Sequence, residues 1–280
     1  MPQKLSDDQL EMANVKQYER LQRTIGLLLV SLIILFVVTG PWITPDPYQQ
    51  NLSQVFAEPG THYLLGADHL GRSVAARMAE GGRNTIYYSL LCVVGSVLAG
   101  VFLGLTAAWY GDLTDTLIMR LVDITMAFPG IILALLIAGV TGGGPMAVII
   151  ALMFTGWPEY CRITRAIAMS TISRPYVESG ILAGFSSIFI LRKYIFAEVL
   201  PQITVLATLG FGRTVLNISA LGFLGIGLAP PEPEWGAMIA ESLPYLRESP
   251  NLVLIPAATL SLTVFSFFLI ANPLSRKPRK

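Results

Sequence analysis

Residues 174–184 read RPYVESGILAG, and they are the most informative segment of the chain. Pro175 suits the first turn of a helix, and Glu178 falls in the same early turn, where the helix dipole favours a negative charge. Gly184 permits a positive backbone φ, and therefore a sharp turn and the close approach of another chain. The segment predicts a short helix that runs from Pro175 toward Gly184 and ends in a tight elbow.

The composition around this segment is that of a membrane protein. Of the 280 residues, 53% are hydrophobic and only 13% are charged, whereas about a quarter of the residues in a typical soluble protein are charged. The mean hydropathy is +0.61. The net charge of +1 provides no overall basic field, so the composition argues against nucleic acid as a partner.

Apolar segments long enough to cross a bilayer occur six times. A hydrocarbon core about 30 Å thick requires roughly 20 mostly apolar helical residues, because lipid cannot hydrogen-bond to an unpaired backbone group. The predicted spans lie at about residues 25–44, 86–110, 117–140, 145–161, 202–228 and 252–272. The sequence therefore predicts an all-α polytopic membrane protein with six transmembrane helices.

Six spans place both termini on one side of the membrane, and the basic residues indicate which side. The apolar run that begins at Ile25 is too long for a cleaved signal peptide, so we interpret it as a retained anchor. Arginine and lysine concentrate near both termini and in the loop 162–201, which the positive-inside rule places in the cytoplasm. The predicted organisation is a cytoplasmic segment 1–24, a first span 25–44, an extracytoplasmic segment 45–85, a five-helix core 86–272 that includes the cytoplasmic loop 162–201, and a cytoplasmic tail 273–280.

Three motifs resemble those of a known family. Glu178-Ser179-Gly180 and, after three further residues, Gly184 are similar to the coupling-loop motif of ABC importer permeases, in which Glu-Ala-Ala precedes a glycine at this spacing. The segment 65–72, LGADHLGR, resembles a Leu-Gly-Thr-Asp-x-x-Gly-Arg-Asp signature of the peptide and nickel permeases. The segment 223–236, with its FLGIG and PPEPEWG sequences, resembles a third stretch of that family.

The chain departs from the family pattern at a few positions. Ser179 and Gly180 replace alanines, which reduces helix propensity by roughly 1 kcal/mol or somewhat more. Ser73 stands where the 65–72 signature continues with aspartate, and Asn272 stands where the closing segment usually has aspartate. These differences concern the coupling helix and local contacts rather than the fold.

The resemblance implies the type I ABC importer permease fold in a bacterial inner membrane. It implies a pathway formed with a second homologous permease subunit, two ATP-binding subunits docked on the coupling helix, and an extracytoplasmic solute-binding protein. The implied cargo is a short peptide, or nickel or another chelated metal. The expected coupling residues are Pro175, Glu178, Ser179, Gly180 and Gly184.

The sequence contains no Gly-x-x-x-x-Gly-Lys-Ser/Thr loop, the motif that cradles nucleotide phosphates. We therefore expect a transport subunit that is no enzyme and has no cofactor or metal of its own, with ATP and magnesium in the partner subunits. The alternative class is an ion-coupled secondary carrier or channel. Such a carrier would need carboxylates within its spans, and Asp123 is instead expected to pair with Arg120, three residues earlier on the same helix.

Arg213 lies inside a predicted span, with Asn217 one turn further on. A charge that faces lipid costs several kcal/mol, so Arg213 is expected to face a polar lumen or a partner. Two interpretations stay open. In one, Arg213 and Asn217 line the lumen, and in the other Arg213 forms a structural ion pair across the subunit interface.

Two further pairs of residues have simpler interpretations. His62 and His69, seven residues apart in the segment 45–85, could contact a metal together with Asp68, although two histidines are too few for a convincing site. Gly100 and Gly104 form a small-xxx-small pair that favours close helix packing.

The two cysteines, Cys92 and Cys161, lie in or beside apolar segments and lack the spacing of a metal site. They are expected to be buried apolar side chains.

Overall fold

The computed structural model describes residues 7–60 and 63–275, which fold almost entirely into helices. The helices are α1 (Asp7–Ile43), α2 (Val74–Tyr110), α3 (Asp112–Met126), α4 (Gly130–Val140), α5 (Gly144–Ile172), α6 (Pro175–Leu182), α7 (Ser187–Ile190), α8 (Phe196–Phe223), α9 (Trp235–Ser242) and α10 (Asn251–Ser275). A π turn, Leu191–Ile195, joins α7 to α8, and 3-10 turns lie at Leu52–Gln54 and Leu243–Tyr245. Among these residues, strand-like pairing is limited to one bridge between Ala67 and Ser73. The all-α fold class is confirmed.

Helices α2 and α5 pack side by side and run in the same direction. Gly95 lies against Met153, and further along both helices Gly104 lies against Thr164. Their amino-terminal ends therefore meet at the end of the bundle that holds α9, and their carboxyl-terminal ends meet near α6. We call these two ends the α9 end and the α6 end.

The other long helices return in alternating directions. Gly40, late in α1, packs on Ala79, early in α2, so α1 runs toward the α9 end. Gly26, earlier in α1, packs on Ile270 near the carboxyl-terminal end of α10, so α10 runs back toward the α6 end. Helix α8 runs toward the α9 end, where its Ser219 bonds to the residue that caps α9.

Four helical stretches are long and apolar enough to cross a membrane, at residues 17–43, 74–110, 187–223 and 251–273. Helices α3 and α4 together form a fifth candidate that is bent by 89°. The break falls at Pro129, whose ring cannot continue a preceding helix. Helix α5 has the length of a span, but its second half carries charged residues, so the predicted count of six is not reached by length and apolarity alone.

The helices extend beyond the predicted spans. Helix α2 begins at Val74 rather than near residue 86, because Ser73 caps it through a hydrogen bond from the Ala76 N–H. Its 37 residues span about 55 Å at 1.5 Å per residue, more than a hydrocarbon core requires. The predicted loop 162–201 is likewise mostly helical. Helix α5 continues to Ile172, and the continuous helical stretch that leads through α7 into α8 begins at Ser187.

Candidate functional site

Helix α6 occupies the position that the sequence predicts. Pro175 is its first residue and follows Arg174, whose backbone is extended. Glu178 lies in the first turn and is exposed to solvent. The Ser179 hydroxyl donates a hydrogen bond of 2.8 Å to the Pro175 carbonyl, so this hydroxyl is hydrogen-bonded within α6. The helix predicted from Pro175 toward Gly184 is confirmed.

The elbow that follows α6 is a Schellman turn. The Phe185 N–H donates to the Gly180 carbonyl at 3.1 Å, and the Gly184 N–H donates to the Ile181 carbonyl at 3.0 Å. This pattern requires a left-handed residue at the position after the cap, and Gly184 has a φ of +79°. The predicted positive φ is confirmed, and the space next to the Gly184 Cα is open within the described residues.

One face of α6 is anchored in the bundle and the other is exposed. Val177 is fully buried in an apolar cluster with Ile190 and neighbouring residues of α5 and α8. Leu182, the last residue of α6, is 89% exposed, and Ile188 in the following helix α7 is 77% exposed. A rigid root with exposed apolar side chains at its tip is typical of a surface that binds another protein.

Arg213 forms an ion pair within the chain. Its two terminal nitrogens lie 2.7 Å and 3.2 Å from the two carboxylate oxygens of Glu159 on α5. This bidentate arrangement is among the stronger geometries for a charged pair. The side chains remain 56% and 35% exposed, respectively. The partner of Arg213 is therefore on the same chain. The interpretation of Arg213 as a structural ion pair had placed this partner across a subunit interface.

A polar cleft of about 280 Å³ surrounds this ion pair. It lies between α2, α4, α5 and α8. Asn217 lines it together with Arg213, because residues four apart lie on the same face of a helix. The uncharged polar residues of the lining are Ser96, Thr155, Tyr160, Thr214 and Asn217.

At the α9 end, four buried or half-buried charges form what we call the α9-end network. Arg72 donates to Asp68 at 2.6 Å and to Glu241 at 3.1 Å. Arg77 donates to Glu241 at 2.9 Å and approaches Asp68 at 3.6 Å. Two guanidinium groups thus face two carboxylates with little access to water, which satisfies each buried charge. The network joins the 65–72 motif to α2 and α9.

Glu234 is a second buried carboxylate, and it caps α9. The Ser219 hydroxyl donates to one of its oxygens at 2.7 Å, and the Ala237 N–H donates to the other at 2.9 Å. The Thr85 hydroxyl lies 3.1 Å from the first oxygen. This carboxylate therefore holds the end of α8 and the beginning of α9 against α2.

His69 lies beside the network and stacks on Tyr245, with the ring centroids 4.8 Å apart. Its Nδ1 atom is buried, with no hydrogen-bond partner among the described residues. Burial lowers the pKa of His69. His62 lies outside the described residues, and within them no group of three or more metal-ligating side chains is present.

The prediction that Arg120 pairs with Asp123 is wrong. The Asp123 carboxylate instead accepts a hydrogen bond of 2.8 Å from Arg162 on α5. One turn further along α5, Arg165 forms a bidentate pair with Asp115 of α3. Helix α3 packs across α5, and this brings its two aspartates within reach of the arginines of α5. Such contacts cannot be inferred from spacing along a single helix.

The packing predictions for small residues hold. A Cβ atom added at Gly100 would lie 2.5 Å from the Tyr160 Cβ, and one added at Gly104 would lie 2.6 Å from the Cys161 carbonyl. The close contact expected of this glycine pair is therefore confirmed. Cys92 and Cys161 are both buried, as predicted.

Sequence reasoning did not assign a role to Glu159, Glu234 or Glu241. Glu159 did carry a signal, because a carboxylate within an apolar segment needs a partner in the bundle interior. Glu234 and Glu241 lie in a segment that resembles the family, and their burial depends on how α9 folds back on the bundle.

A polar, ion-paired cleft inside an apolar helical bundle is an arrangement typical of membrane transport proteins. Residues 96–280 match the family described as binding-protein-dependent transport system inner membrane component. The chain belongs to this family of ABC importer permeases, which are transport components rather than enzymes.

Relatives with similar sequences carry names from the same class. The chain is 35% identical over 256 residues to a di/tripeptide transport system permease protein, DppC, of Pseudomonas aeruginosa, which covers 89% of this chain and 84% of the relative. It is 32% identical over 257 residues to a dipeptide transport system permease protein, DppC, of Haemophilus influenzae, with 89% and 87% covered.

Solved structures support the fold. An inward-facing structure of the MetNI methionine ABC transporter aligns with a TM-score of 0.56 at 18% identity, covering 70% of this chain and 95% of the matched chain. An amino acid ABC transporter aligns with a TM-score of 0.53 at 16% identity, covering 67% and 87%. The predicted ABC importer permease fold is confirmed, and the chain is a multi-pass membrane protein.

Proposed function

We propose that this chain forms one half of the transmembrane pathway of an ATP-driven, binding-protein-dependent importer of short peptides. The observation that carries the proposal is α6, whose root is buried in the bundle while its tip exposes apolar side chains. The names of the relatives favour di- and tripeptides as cargo. Nickel or another chelated metal is the alternative cargo, because the sequence motifs also resemble those of the nickel permeases.

In this proposal α6 is the coupling helix, with Pro175, Glu178, Ser179, Gly180 and Gly184 as its functional residues. An ATP-binding subunit packs on the exposed face around Leu182 and Ile188, which are apolar and unoccupied by this chain. Because Val177 ties α6 to α5 and α8, a displacement of α6 moves the helices that line the polar cleft. ATP and magnesium are bound by the partner subunits.

The sidedness follows from the same assignment. The α6 end faces the cytoplasm, with both termini, and the α9 end faces the extracytoplasmic space, where a solute-binding protein docks. The polar cleft, with Arg213 and Asn217, then belongs to the lumen that this chain shares with a second, homologous permease subunit. Two ATP-binding subunits complete the assembly in the bacterial inner membrane.

The test is reconstitution of the chain in liposomes with its permease partner, two ATP-binding subunits and the solute-binding protein. We expect uptake of labelled dialanine that requires both ATP and the binding protein. Uptake by the chain alone under an ion gradient would favour a secondary carrier and contradict the proposal. Nickel uptake without dialanine uptake would retain the importer assignment and change the cargo.

A further inference from the structure

We propose that Arg213 and Glu159 form an exchangeable charge pair that receives the two charged termini of a short peptide in the cleft. The cargo carboxylate binds the Arg213 guanidinium, and the cargo ammonium group binds the Glu159 carboxylate. The inference rests on the proposed function, since it assumes that the cleft belongs to the import pathway. It adds the residues of this chain that recognise the free amino and carboxyl termini of the peptide.

The position of the pair is the first argument. Arg213 lies on a helical stretch apolar enough to span a membrane, and Glu159 faces it from α5. Ionised groups at this depth are costly next to lipid and are expected to face water or a protein partner. The exposed fractions of both side chains, 56% and 35%, therefore open into the cleft rather than into a sealed core.

The geometry of the pair is the second argument. The two terminal nitrogens of Arg213 contact Glu159, and a guanidinium has five N–H donors in a fork that fits a carboxylate. Arg213 can therefore hold a second carboxylate in place of, or beside, the first. A buried structural ion pair would lack this access, as the α9-end network does.

The charge balance of the cleft is the third argument. Of the described residues that line it, only Arg213 and Glu159 are charged. In the empty cleft they neutralise each other, and a zwitterionic cargo presents one charge of each sign, so both remain paired when the cargo enters. A cargo with a single charge would leave one of them unpaired, which is unfavourable away from bulk water.

The size and remaining polar groups of the cleft also fit a small peptide. Its volume of about 280 Å³ lies slightly below the roughly 300–1,000 Å³ of drug-sized ligand sites. The hydroxyl of Tyr160 and the carboxamide of Asn217 belong to the same lining and provide hydrogen-bonding groups for a peptide amide. The contribution of this chain therefore suits a di- or tripeptide better than a long oligopeptide.

The test uses the complete reconstituted importer and labelled dialanine. The double variant Arg213→Gln, Glu159→Gln removes both charges and retains hydrogen-bonding side chains. We expect dialanine uptake per ATP hydrolysed by the assembled variant to fall about tenfold or more relative to wild type, a ratio equivalent to about 1.4 kcal/mol.

The matched control is the double variant Arg162→Gln, Asp123→Asn. It removes another ion pair between α5 and a neighbouring helix, with a similar contact of 2.8 Å, outside the cleft. We expect it to retain both ATP hydrolysis and uptake. Uptake by the cleft variant that equals uptake by this control would overturn the proposal.

A second variant keeps the test decisive if the cleft double variant fails to assemble. Arg213→Lys preserves the charge but cannot hold a carboxylate in a bidentate geometry. We expect a KM for dialanine uptake raised about threefold or more. An unchanged KM contradicts the exchange. If the wild-type importer takes up no peptide, it is the proposed function that fails.

Discussion

Gly184 is the residue at which backbone conformation matters most. Its φ of +79° lies in the left-handed region, where a residue with a Cβ atom is disfavoured by roughly 1–2 kcal/mol. A Cβ atom added there would meet no atom of the described residues within 4 Å. A substitution at this position therefore tests the conformation of the elbow rather than the packing of the bundle.

We expect Gly184→Val to distort the elbow and to uncouple ATP hydrolysis from uptake, because a β-branched residue strongly disfavours a positive φ. Gly184→Asn is the matched control, since asparagine tolerates this region better than other residues. The measurement is dialanine uptake and binding-protein-stimulated ATP hydrolysis of the reconstituted importer. Continued uptake with stimulated hydrolysis in the valine variant would mean that the elbow is an ordinary surface turn.

His69, in the segment that precedes α2, has a protonation equilibrium that depends on its surroundings. Burial is the main cause of its lowered pKa, with the two arginines of the α9-end network acting in the same direction and its two carboxylates opposing them. The folded state thus binds this proton less tightly than the unfolded state. Its stabilising contribution is present above the usual value of 6.5 and is lost as pH falls toward the lowered pKa.

We therefore expect the melting temperature of the wild-type chain in detergent to decrease when the pH is lowered from about 7.5 to about 5.5, two values on either side of the ordinary histidine pKa. His69→Phe retains an aromatic ring against Tyr245 and removes the titrating group. The decrease in melting temperature should be smaller in this variant. Equal decreases in the two proteins would show that His69 does not contribute.

At the scale of elements, the contact between α2 and α5 is the most extensive of any helix pair among the described residues. Glycines on α2 allow the backbone of α5 to approach, and the parallel direction of the two helices extends this contact along both. Both helices also line the polar cleft.

We expect Gly100→Ala to destabilise the chain by about 1–3 kcal/mol, because the added methyl group would lie 2.5 Å from the Tyr160 Cβ and 2.6 Å from the Trp157 carbonyl. Gly139→Ala on α4 is the control, as its added methyl group meets no atom within 4 Å and improves helix propensity. Thermal unfolding in detergent measures both. A similar melting temperature for the two variants would contradict the close packing.

At the scale of the whole molecule, the α9-end network holds together parts of the chain that are distant in sequence. Arg72 and Glu241 are 169 residues apart, and their contact joins the segment before α2 to α9. The fold thus has a rigid ionic joint at the α9 end and an exposed elbow at the α6 end. In the proposed importer these ends face the binding protein and the ATP-binding subunits.

We expect Glu241→Ala to reduce the free energy of unfolding by on the order of 3 kcal/mol, because two buried guanidinium groups lose one of their two carboxylates. Glu80→Ala is the control, since it removes a contact with Arg83, which is 53% exposed, and exposed pairs contribute about 0–1 kcal/mol. Denaturant unfolding in detergent compares the two. Equal losses of stability would show that the network is not a structural joint.

The features that the amino-acid sequence predicts correctly depend on neighbouring residues. Proline at the first turn of α6, an early glutamate and a glycine at the elbow act within one or two helical turns, so α6 could be derived before any packing was known. Apolar runs likewise predict spans by composition. Their ends were less predictable, because α2 continues as a helix through polar residues well outside the apolar run.

The ion pairs depend on contacts between segments that are distant in the sequence. The spacing of residues along the chain therefore does not identify the partners of Arg213 and Asp123. Arg213 was expected to need a partner, but Glu159 lies 54 residues away, and only the packing of α5 against α8 selects it. Asp123 was expected to pair with Arg120, yet the crossing of α3 over α5 offers Arg162. Local backbone preferences and apolarity act within a few residues, whereas charge pairing follows from the three-dimensional arrangement of helices.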